Sequence, residues 1–528
     1  MAQLARFKQL EVVEFYDMDL DDAGWKSLAA LKSLKSLTFD SWSNITGEEL
    51  HWLAGLTALE ELYIDHWTAC NDEQLGFVEK LSNLRRLRLT MCEFTAEGLA
   101  RIAALPNLEA LALPRCNDLK DDDLAVLAKM PKLRELDLAE CEGLSDGALE
   151  QISALERLEV LNLDAWVWVP ACFTSVHWNA WTGAGLKHLA KLKHLKLLNL
   201  QGTPALTDDD CKTLAKITTL ETLGISYCDY LTDAGIRHLA ALPQLRELWA
   251  HNVDYEGMRG HGFDAFGADS KLEVLNLRDY SGVDDVGFEA ICRLPRLRVL
   301  HVEGCGELSV DGFRHLASAI NLREIYLGCQ RITPEAFLAI CDATGLEVIS
   351  TWVASELTNE SFAGLAALKQ LRVLDLMDAG RIGDGAFEHL ADLTSLRELR
   401  VTESRVSNSG LLCLEKLTEL EVLDLHGAKN LSKSASGLRT FKALRVLGMS
   451  TLGGLSDKAL AEVAGLESLE ELWVSIAPDA TNAAVAGLSR LAKLTSLRVS
   501  DTKSKHEKAM DGLRESLPKA DIDYSPGD

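Results

Sequence analysis

Two short motifs have residue types and spacings that could support catalysis. The sequence matches G-x-S-x-G at residues 143–147, a pattern that presents a nucleophilic serine in many hydrolases. Ser145, however, stands where another unit carries the helix-start residue Thr207, so helix capping accounts for it. Cys172 and His177 lie near each other in the chain, but no third group completes a nucleophile, base and orienting residue. Because metalloprotease, phosphate-loop and dinucleotide motifs are also missing, we expect a protein that is not an enzyme.

Cysteines and acidic triplets raise the question of a metal site. Cys92, Cys116 and Cys141 occupy one position in three consecutive units and would stack near each other. Zinc sites usually need four thiolate or imidazole ligands in a tetrahedral arrangement, which a one-dimensional stack does not supply. The acidic triplets 121–123 and 208–210 lack the spacing and glycine turn of a calcium loop and are interpreted as helix starts. We therefore expect buried core thiols, no metal and no cofactor.

A repeated phrase organises nearly the whole chain and is clearest at residues 231–250, LTDAGIRHLAALPQLRELWA. An anchor leucine, the first of an L-x-x-L-x-L strand pattern, recurs 20 times at spacings of 24 or 25 residues. The two exceptions are 37 residues between Leu158 and Leu195, and 27 residues between Leu245 and Leu272. Each unit is predicted to contain a short strand, a loop, a helix opened by Ser or Thr, and a return turn. The anchors are Leu10, Leu34, Leu59, Leu84, Leu108, Leu133, Leu158, Leu195, Leu220, Leu245, Leu272, Leu297, Leu322, Leu346, Leu371, Leu396, Leu420, Leu444, Leu469 and Leu494.

The repeat predicts the fold class. Parallel strands lie about 4.8 Å apart, whereas helix axes need about 8–10 Å, so stacked units must bend toward the strand side. We predict an α/β fold: a right-handed solenoid shaped as a curved horseshoe, with a parallel sheet on the concave face and helices on the convex face. A single domain is expected over 1–528, with an N-terminal cap at 1–9, a Trp-rich inserted loop at 164–183 and a C-terminal cap at 503–528.

The units resemble leucine-rich repeats of the ribonuclease-inhibitor-like class. The segments LRELDLAECEGLSDGALEQISAL (133–155) and LETLGISYCDYLTDAGIRHLAAL (220–242) are similar to the cysteine-containing subclass of F-box proteins and to bacterial relatives. The resemblance covers about residues 4 to 500 and implies a scaffold that binds proteins. A substrate-recognition adaptor of a ubiquitin ligase is the alternative that it suggests, although the first strand pattern begins at Leu10 with no F-box before it.

Charge and composition narrow the classes of partner. The chain has 54 basic and 80 acidic residues, which gives a formal net charge of −26. This balance argues against nucleic-acid binding, which needs clustered Lys and Arg. It fits either a solvated acidic exterior or the attraction of a basic protein partner.

Targeting signals are not evident in the sequence. The N-terminus lacks the charged-then-apolar pattern of a signal peptide, and no run of about 18 apolar residues occurs. The 12 cysteines follow the repeat spacing without a Cys-x-x-Cys pair, which is typical of free thiols in a reducing compartment. We therefore predict a cytoplasmic protein that does not bind membranes.

Aromatic residues mark two candidate partner-binding regions. The first region consists of the solvent-facing strand positions of the middle units. Exposed Trp and Tyr there suggest contact with a partner, although stacking of these aromatic rings on one another would also explain them. The insertion forms the second, since Trp is frequent at binding hot spots, although the loop could pack its aromatics locally. The function predicted is a non-enzymatic scaffold for a protein partner, or more narrowly an inhibitor or immunity protein. The candidates are Trp249, His251, Arg278, His301, Tyr326 and Trp352 on the strands, with Asn276 and Glu303 beside them, and Trp166, Trp168, Trp178 and Trp181 in the insertion.

Overall fold

The computed structural model divides the chain into two compact units, Met1–Leu272 (unit 1) and Glu273–Asp528 (unit 2). Each unit is described by itself. The structure describes residues 7, 9–16, 18, 20–40, 48–67, 70–169, 174–177, 181–203, 205–251, 257–278, 282–304, 306, 308–328, 332–428, 430–431, 437–450, 454–501 and 505–526.

Unit 1 is built on parallel strands that pair in chain order. From β1 to β7 and from β10 to β12, each strand pairs with the next. The inserted strands β8 and β9 pair only with each other among the described strands, and β7 pairs with β10. The strands are β1 (Val12–Tyr16), β2 (Ser36–Asp40), β3 (Glu61–Ile64), β4 (Arg86–Leu89), β5 (Ala110–Ala112), β6 (Glu135–Asp137), β7 (Val160–Asn162), β8 (Trp166–Val169), β9 (Thr174–His177), β10 (Leu197–Asn199), β11 (Thr222–Gly224) and β12 (Glu247–Trp249).

Unit 2 repeats the arrangement, and each of its strands pairs in parallel with the next. Its strands are β13 (Val274–Asn276), β14 (Val299–His301), β15 (Glu324–Leu327), β16 (Val348–Thr351), β17 (Val373–Leu376), β18 (Glu398–Val401), β19 (Val422–Asp424), β20 (Val446–Met449), β21 (Glu471–Ile476), β22 (Ser496–Asp501) and β23 (Asp521–Pro526).

Short helices follow most strands. In unit 1 they are α1 (Asp22–Ala29), α2 (Ala96–Ala103), α3 (Asp146–Ile152), α4 (Asp208–Leu214) and α5 (Asp233–Leu239), with 3₁₀ helices at Glu48–Gly55, Gln74–Lys80, Asp121–Lys129, Gly183–Lys191 and His261–Ala265. In unit 2 they are α6 (Asp285–Cys292), α7 (Val310–Arg314), α8 (Pro334–Ile340), α9 (Asp384–Leu390), α10 (Asn408–Cys413), α11 (Asp457–Val463), α12 (Asn482–Ala486) and α13 (Glu507–Ser516), with 3₁₀ helices at His315–Ser318, Asn359–Ala367, Leu438–Thr440 and Gly487–Arg490.

Alternation along each strand separates the core from an open face of the sheet. In β6, Leu136 is buried, whereas Glu135 and Asp137 on either side of it are half-exposed. The apolar side chains of the helices are buried with the strand leucines, as Leu149 and Ile152 of α3 illustrate. The second, fourth and sixth residues after each anchor leucine therefore form the open face, and the predicted solenoid of parallel strands and helices is confirmed in both units.

Helix starts explain the motifs that resembled catalytic and calcium-binding sites. Ser145 caps α3, because its hydroxyl accepts a hydrogen bond from the Gly147 amide. The acidic triplets begin the 3₁₀ helix Asp121–Lys129 and helix α4, as predicted. Among the described residues, no group of three or more His, Cys, Asp or Glu could hold a metal ion.

One feature of the helix starts was not predicted: the first acidic residue of a helix also bonds to the next repeat. Asp121 accepts hydrogen bonds from the amide of Ser145 at 2.7 Å and from its hydroxyl at 2.5 Å. Asp208 does the same for Thr232, at 2.8 and 2.7 Å. These acids are therefore more than helix starts, because they also connect consecutive repeats.

The stacked cysteines belong to the core, as predicted. Cys92, Cys116 and Cys141 are buried, and the Cys141 thiol donates to the Leu113 carbonyl at 3.1 Å. Burial raises the pKa of all three thiols well above the ordinary value. These thiols are therefore protonated and unreactive near neutral pH.

The insertion and the carboxyl-terminal end contain elements that were not predicted from the sequence. The segment predicted as a loop at 164–183 contains the antiparallel pair β8 and β9. The predicted cap at 503–528 contains helix α13 and a further strand, β23, which pairs with β22. The predicted cap at 1–9 lies mostly outside the described residues. Of the helices that the structure describes, none is both long and apolar enough to cross a membrane.

Candidate functional site

Unit 2 gathers four of the predicted residues into one group on the open face. We call Arg278, His301, Glu303, Tyr326 and Trp352 the aromatic cluster. Strand pairing sets His301 directly opposite Tyr326. Their rings therefore stack, with centroids 4.2 Å apart and planes inclined by 4°. This stack was one of the two interpretations that the sequence left open.

Arg278 connects the stack region to Trp352. Its guanidinium carbon lies 4.2 Å from the centre of the Trp352 ring, and its Nε lies 2.7 Å from Oε2 of Glu303. At Gly328, in the repeat before Trp352, an added Cβ would lie 2.5 Å from the Cβ of Glu303. The glycine therefore provides the space in which Glu303, the partner of Arg278, packs.

Burial and charge fix the protonation states of the cluster. Burial, together with the hydrogen bond that the hydroxyl donates to Glu324 at 2.9 Å, raises the pKa of Tyr326 to about 12. Burial lowers the pKa of His301; the Arg278 charge adds to this, and Glu324 opposes it. At neutral pH the stack therefore consists of a neutral imidazole on a neutral phenol.

The ring of Trp352 gives the cluster an apolar surface that faces solvent. Trp352 is 44% exposed although Arg278 stacks on its ring, and Met377 at the corresponding position of the next repeat is 46% exposed. Glu303, in contrast, is only 6% exposed. Trp352 and Met377 therefore form an apolar patch beside an ordered cation.

Unit 1 presents a hollow instead of a stack. We call the hollow the space of about 380 Å³ on the open face between Tyr63 of β3 and Trp249 of β12. Half-buried Ala110, Val160 and Leu197 form its apolar floor, and Ala112, Asn162 and Asn199 also line it. Its size falls within the range of small-ligand and side-chain pockets.

Charged side chains border the hollow and neutralise one another. The guanidinium of Arg86 makes two hydrogen bonds to Glu135, at 2.9 and 3.1 Å. Arg88 lies 3.2 Å from Asp65 and 3.4 Å from Asp137. Both arginines reach from β4 to β6 across β5, whose open-face residues at this point are alanines. Each strong charge at this border therefore has an opposite partner.

An amide chain continues from the charged border toward Trp249. Asn162 donates to Asp137, and Asn199 donates to Asn162, both at 3.0 Å. Burial raises the pKa of Asp137, although the hydrogen bond from Ala139 and the charge of Arg88 oppose it. The chain ends at Gly224, where an added Cβ would lie 3.3 Å from the Trp249 ring. Trp249 therefore leans into the hollow.

The other predicted residues have separate environments. His251 lies 2.7 Å from the Ser226 hydroxyl through Nδ1 and meets Tyr227 edge-on at 5.2 Å. Trp166 and Trp168 lie in β8, where Trp166 pairs with His177; their side chains lie outside the described residues. Trp178 and Cys172 also lie outside the described residues.

Trp181 corrects the prediction for the insertion. Its side chain is only 2% exposed, so it is not available to a partner on this surface. It precedes the helix cap Thr182, just as Leu144 precedes the cap Ser145. Trp181 thus fills the core position that leucine occupies elsewhere, and this alignment with the repeat was visible in the sequence.

Comparisons with known proteins agree with the fold. Family models described as "Leucine-rich repeat region" and "Leucine Rich repeat" match residues 347–521, and residues 80–103 and 216–240, respectively. No curated protein sequence matches the chain significantly. Among solved structures, the TLR13-ssRNA13 complex aligns with a TM-score of 0.55 at 19% identity, over 97% of this chain and 80% of that chain. At this identity the likeness concerns the fold alone.

Two plant receptors align with lower scores. The peptide hormone receptor RGFR1 in complex with RGF2 gives a TM-score of 0.34 at 14% identity, over 100% of this chain and 93% of that chain. The ectodomain of GASSHO1/SCHENGEN3 from Arabidopsis thaliana, with CASPARIAN STRIP INTEGRITY FACTOR 2, gives 0.32 at 14% identity, over 100% and 86%. Scores this low carry no argument here. The family models identify leucine-rich repeats in the matched residues, and the first alignment agrees with the solenoid fold described above.

Proposed function

We propose that this protein is a non-enzymatic scaffold that binds a protein partner on the open face of its sheet, with Trp352 as the anchor. The observation that carries the proposal is the aromatic cluster, in which an exposed Trp ring is held by the guanidinium of Arg278. Trp and Arg are the residue types most often found at the energetic centre of protein interfaces. Leucine-rich repeats supply the rigid frame that displays them.

Order within the cluster favours binding. The stack of His301 on Tyr326 and the pairing of Arg278 with Glu303 already restrict these side chains in the free protein. A partner would therefore lose less conformational entropy when it contacts them than when it contacts mobile side chains. The hollow of unit 1, with Trp249 at one end, offers a second contact surface for an inserted apolar side chain.

A narrower form of the proposal is an inhibitor or immunity protein that neutralises a basic partner. The net charge of −26 supports it, because an acidic surface accelerates association with a basic protein. A cytoplasmic location is part of the proposal: the nine cysteines in the described part of the chain are free thiols, as expected in a reducing compartment. The ubiquitin-ligase adaptor has no support beyond the sequence resemblance.

The test compares two variants of the full chain as baits in affinity purification. Trp352→Ala removes the anchor, and Val286→Ala removes an apolar side chain that is also exposed, at 62%, but lies on helix α6 and not on the open face. We expect Val286→Ala to retain the partners of the wild type, and Trp352→Ala to lose at least one.

The partner lost by Trp352→Ala is then purified and titrated calorimetrically against both variants. Its affinity should fall by about 2 kcal/mol, or roughly thirtyfold, for Trp352→Ala only. Equal affinities for a correctly folded Trp352→Ala protein and the wild type would remove the cluster from the binding surface.

A further inference from the structure

A row of charged residues runs along the edge of each sheet, at the position directly after each anchor leucine. We call it the rim row. In unit 1 acidic and basic residues alternate along it without exception: Glu11, Lys35, Glu60, Arg85, Glu109, Arg134, Glu159, Lys196, Glu221 and Arg246. Neighbours form ion pairs, for example Arg134 and Lys196, which both lie 2.7 Å from Glu159. The row of unit 1 is therefore neutralised internally.

The rim row of unit 2 loses this alternation twice. Its residues are Glu273, Arg298, Arg323, Glu347, Arg372, Arg397, Glu421, Arg445, Glu470 and Thr495. Two pairs of arginines are adjacent, and Glu347 is the one carboxylate between them, 3.7 Å from Arg323 and 4.0 Å from Arg372. Glu347 is thus shared by Arg323 and Arg372, Arg397 lies 3.9 Å from Glu419 outside the row, and the arginines outnumber the carboxylates along this part of the row.

A concavity marks the first arginine pair. It has a volume of about 390 Å³ and is lined by Arg296, Arg298, Arg323, Asn321 and Glu273. Arg296 and Arg298 are exposed, and in the part of the chain that the structure describes neither forms an ion pair. Two guanidinium groups therefore face solvent in a concavity where arginines outnumber carboxylates.

Two arginines of the row are held in place by the backbone. Nη1 of Arg323 donates to the carbonyls of Ile320 and Leu322, at 3.2 and 2.9 Å. It lies over Gly345, where an added Cβ would be 2.6 Å away. Nη1 of Arg397 donates in the same way to the carbonyls of residues 394–396, at 3.2 to 3.4 Å. These bonds fix two positive charges at defined positions along the rim.

We propose that Arg296, Arg298, Arg323, Arg372 and Arg397, together called the basic strip, bind a short acidic peptide segment of a partner protein. Carboxylates suit the planar guanidinium fork, which can donate two parallel hydrogen bonds. From β14 to β18 the strip spans four strand spacings, or about 19 Å. An extended peptide covers this distance with about six residues.

The surroundings favour a short peptide over a nucleic acid. Glu273 and Glu421 border the strip, and the net charge of the chain is −26. A polynucleotide long enough to extend beyond the strip would meet these carboxylates and lose the favourable charge interaction. This proposal goes beyond the function proposed above, because the strip lies on the rim of the sheet and the aromatic cluster on its open face.

The experiment measures the binding of a fluorescein-labelled peptide with six consecutive glutamates to the full-length protein by fluorescence anisotropy. We expect saturable binding at about 20 mM salt that weakens strongly at about 200 mM salt. Arg298→Ala should weaken binding about threefold, and the double variant Arg298→Ala/Arg372→Ala about tenfold.

Arg445→Ala is the matched control. Arg445 occupies the same row in the same unit, but lies between Glu421 at 3.8 Å and Glu470 at 2.7 Å. Its replacement should change peptide affinity less than twofold. Trp352→Ala should leave peptide affinity unchanged, which separates this test from that of the open face.

Three results would overturn the proposal. The first is no saturable binding of the peptide at low salt. The second is an equal loss of affinity for Arg445→Ala and Arg298→Ala. The third is tighter binding of a single-stranded oligonucleotide of the same charge, which would identify a nucleic acid as the ligand.

Discussion

The open faces of the two units use small residues in the same way and reach different results. In unit 1, Ala110 on β5 lets Arg86 cross to Glu135, and the bridge ends on an opposite charge. In unit 2, Gly328 leaves the space in which Glu303 packs, and Glu303 pairs with the Arg278 side chain that stacks on the exposed ring of Trp352. The Arg86–Glu135 bridge neutralises both of its charges, whereas the contact of Arg278 with Trp352 leaves an apolar ring exposed to solvent.

A small residue in an intervening repeat therefore makes room for a contact between repeats. Adjacent strands lie about 4.8 Å apart, and Arg86 reaches Glu135 two strands away because only the alanine side chain of Ala110 stands between them. The side chain that the arginine reaches then determines whether the surface can bind a partner. A carboxylate neutralises the arginine, whereas an aromatic ring leaves an apolar surface that a partner can contact.

The largest effect on the free energy of unfolding is expected for Gly328→Ala in unit 2. The added Cβ would lie 2.5 Å from the Cβ of Glu303, so the buried Glu303 must move and the contact of Arg278 with Trp352 must loosen. We expect a loss of about 1–3 kcal/mol in the free energy of unfolding, measured with urea. Gly380→Ala is the control, because no atom lies within 4 Å of its added Cβ. Equal stabilities of the two variants would contradict the proposed role of Gly328.

A smaller effect is expected when the crossing point of unit 1 is filled by Ala110→Val. The valine would displace the Arg86–Glu135 bridge, whose side chains are about two-fifths exposed. Because ion pairs this exposed contribute little, the free energy of unfolding should change by less than about 1 kcal/mol. A loss as large as that of Gly328→Ala would show that the two bridges are energetically alike.

The two open faces should contribute differently to the pH dependence of stability, because His301 is present only in the cluster of unit 2. Its pKa is lowered in the folded state by burial, so between that value and the ordinary value of 6.5 the unfolded chain binds more protons. Stability should therefore rise with pH through this window and fall as the histidine becomes protonated. His301→Gln should reduce this slope in urea midpoints measured between about pH 5 and pH 7. An unchanged slope would exclude His301 as its source.

The smallest effect is spectroscopic. Tyr326→Phe should remove one phenol that ionises near pH 12 from an ultraviolet titration. Because its folded-state pKa is raised, the stability that Tyr326 contributes is present below about pH 10 and is lost as the pH rises toward 12. Tyr63 beside the hollow also has a raised pKa, from burial first and the charge of Glu61 second. If Tyr326→Phe instead removed a phenol with an ordinary pKa from the titration, the buried position of Tyr326 in the stack would be contradicted.

The repeat itself was predictable from the sequence, because leucine spacing reports directly on the buried side of each strand. Strand β6, for example, begins two residues after the anchor Leu133. Strand β23 was missed, since Asp521–Pro526 lacks the leucine pattern and its pairing with β22 is the main sign of it. The hairpin in the insertion was also missed, although the alternation in WVWV is typical of a strand.

The candidate site was predictable in part. The solvent-facing aromatics could be identified by their positions, and strand register alone brings His301 onto Tyr326. The contact of Arg278 with Trp352 could not be predicted, because it joins residues that are 74 positions apart in the chain and follow strands that are not adjacent. The burial of Trp181 was predictable, because Trp181 precedes the helix cap Thr182 just as the buried Leu144 precedes the cap Ser145.

The bonds between successive helix starts give the array a direction. Asp384 accepts from both the amide and the hydroxyl of Ser407 in the following repeat, as Asp457 does from Thr481. Removal of the upstream repeat takes the acceptor from the next helix start, and removal of the downstream repeat takes both donors from the carboxylate. Each junction is thus held at its helix starts as well as through its strands and core, and the loss of either repeat breaks both bonds.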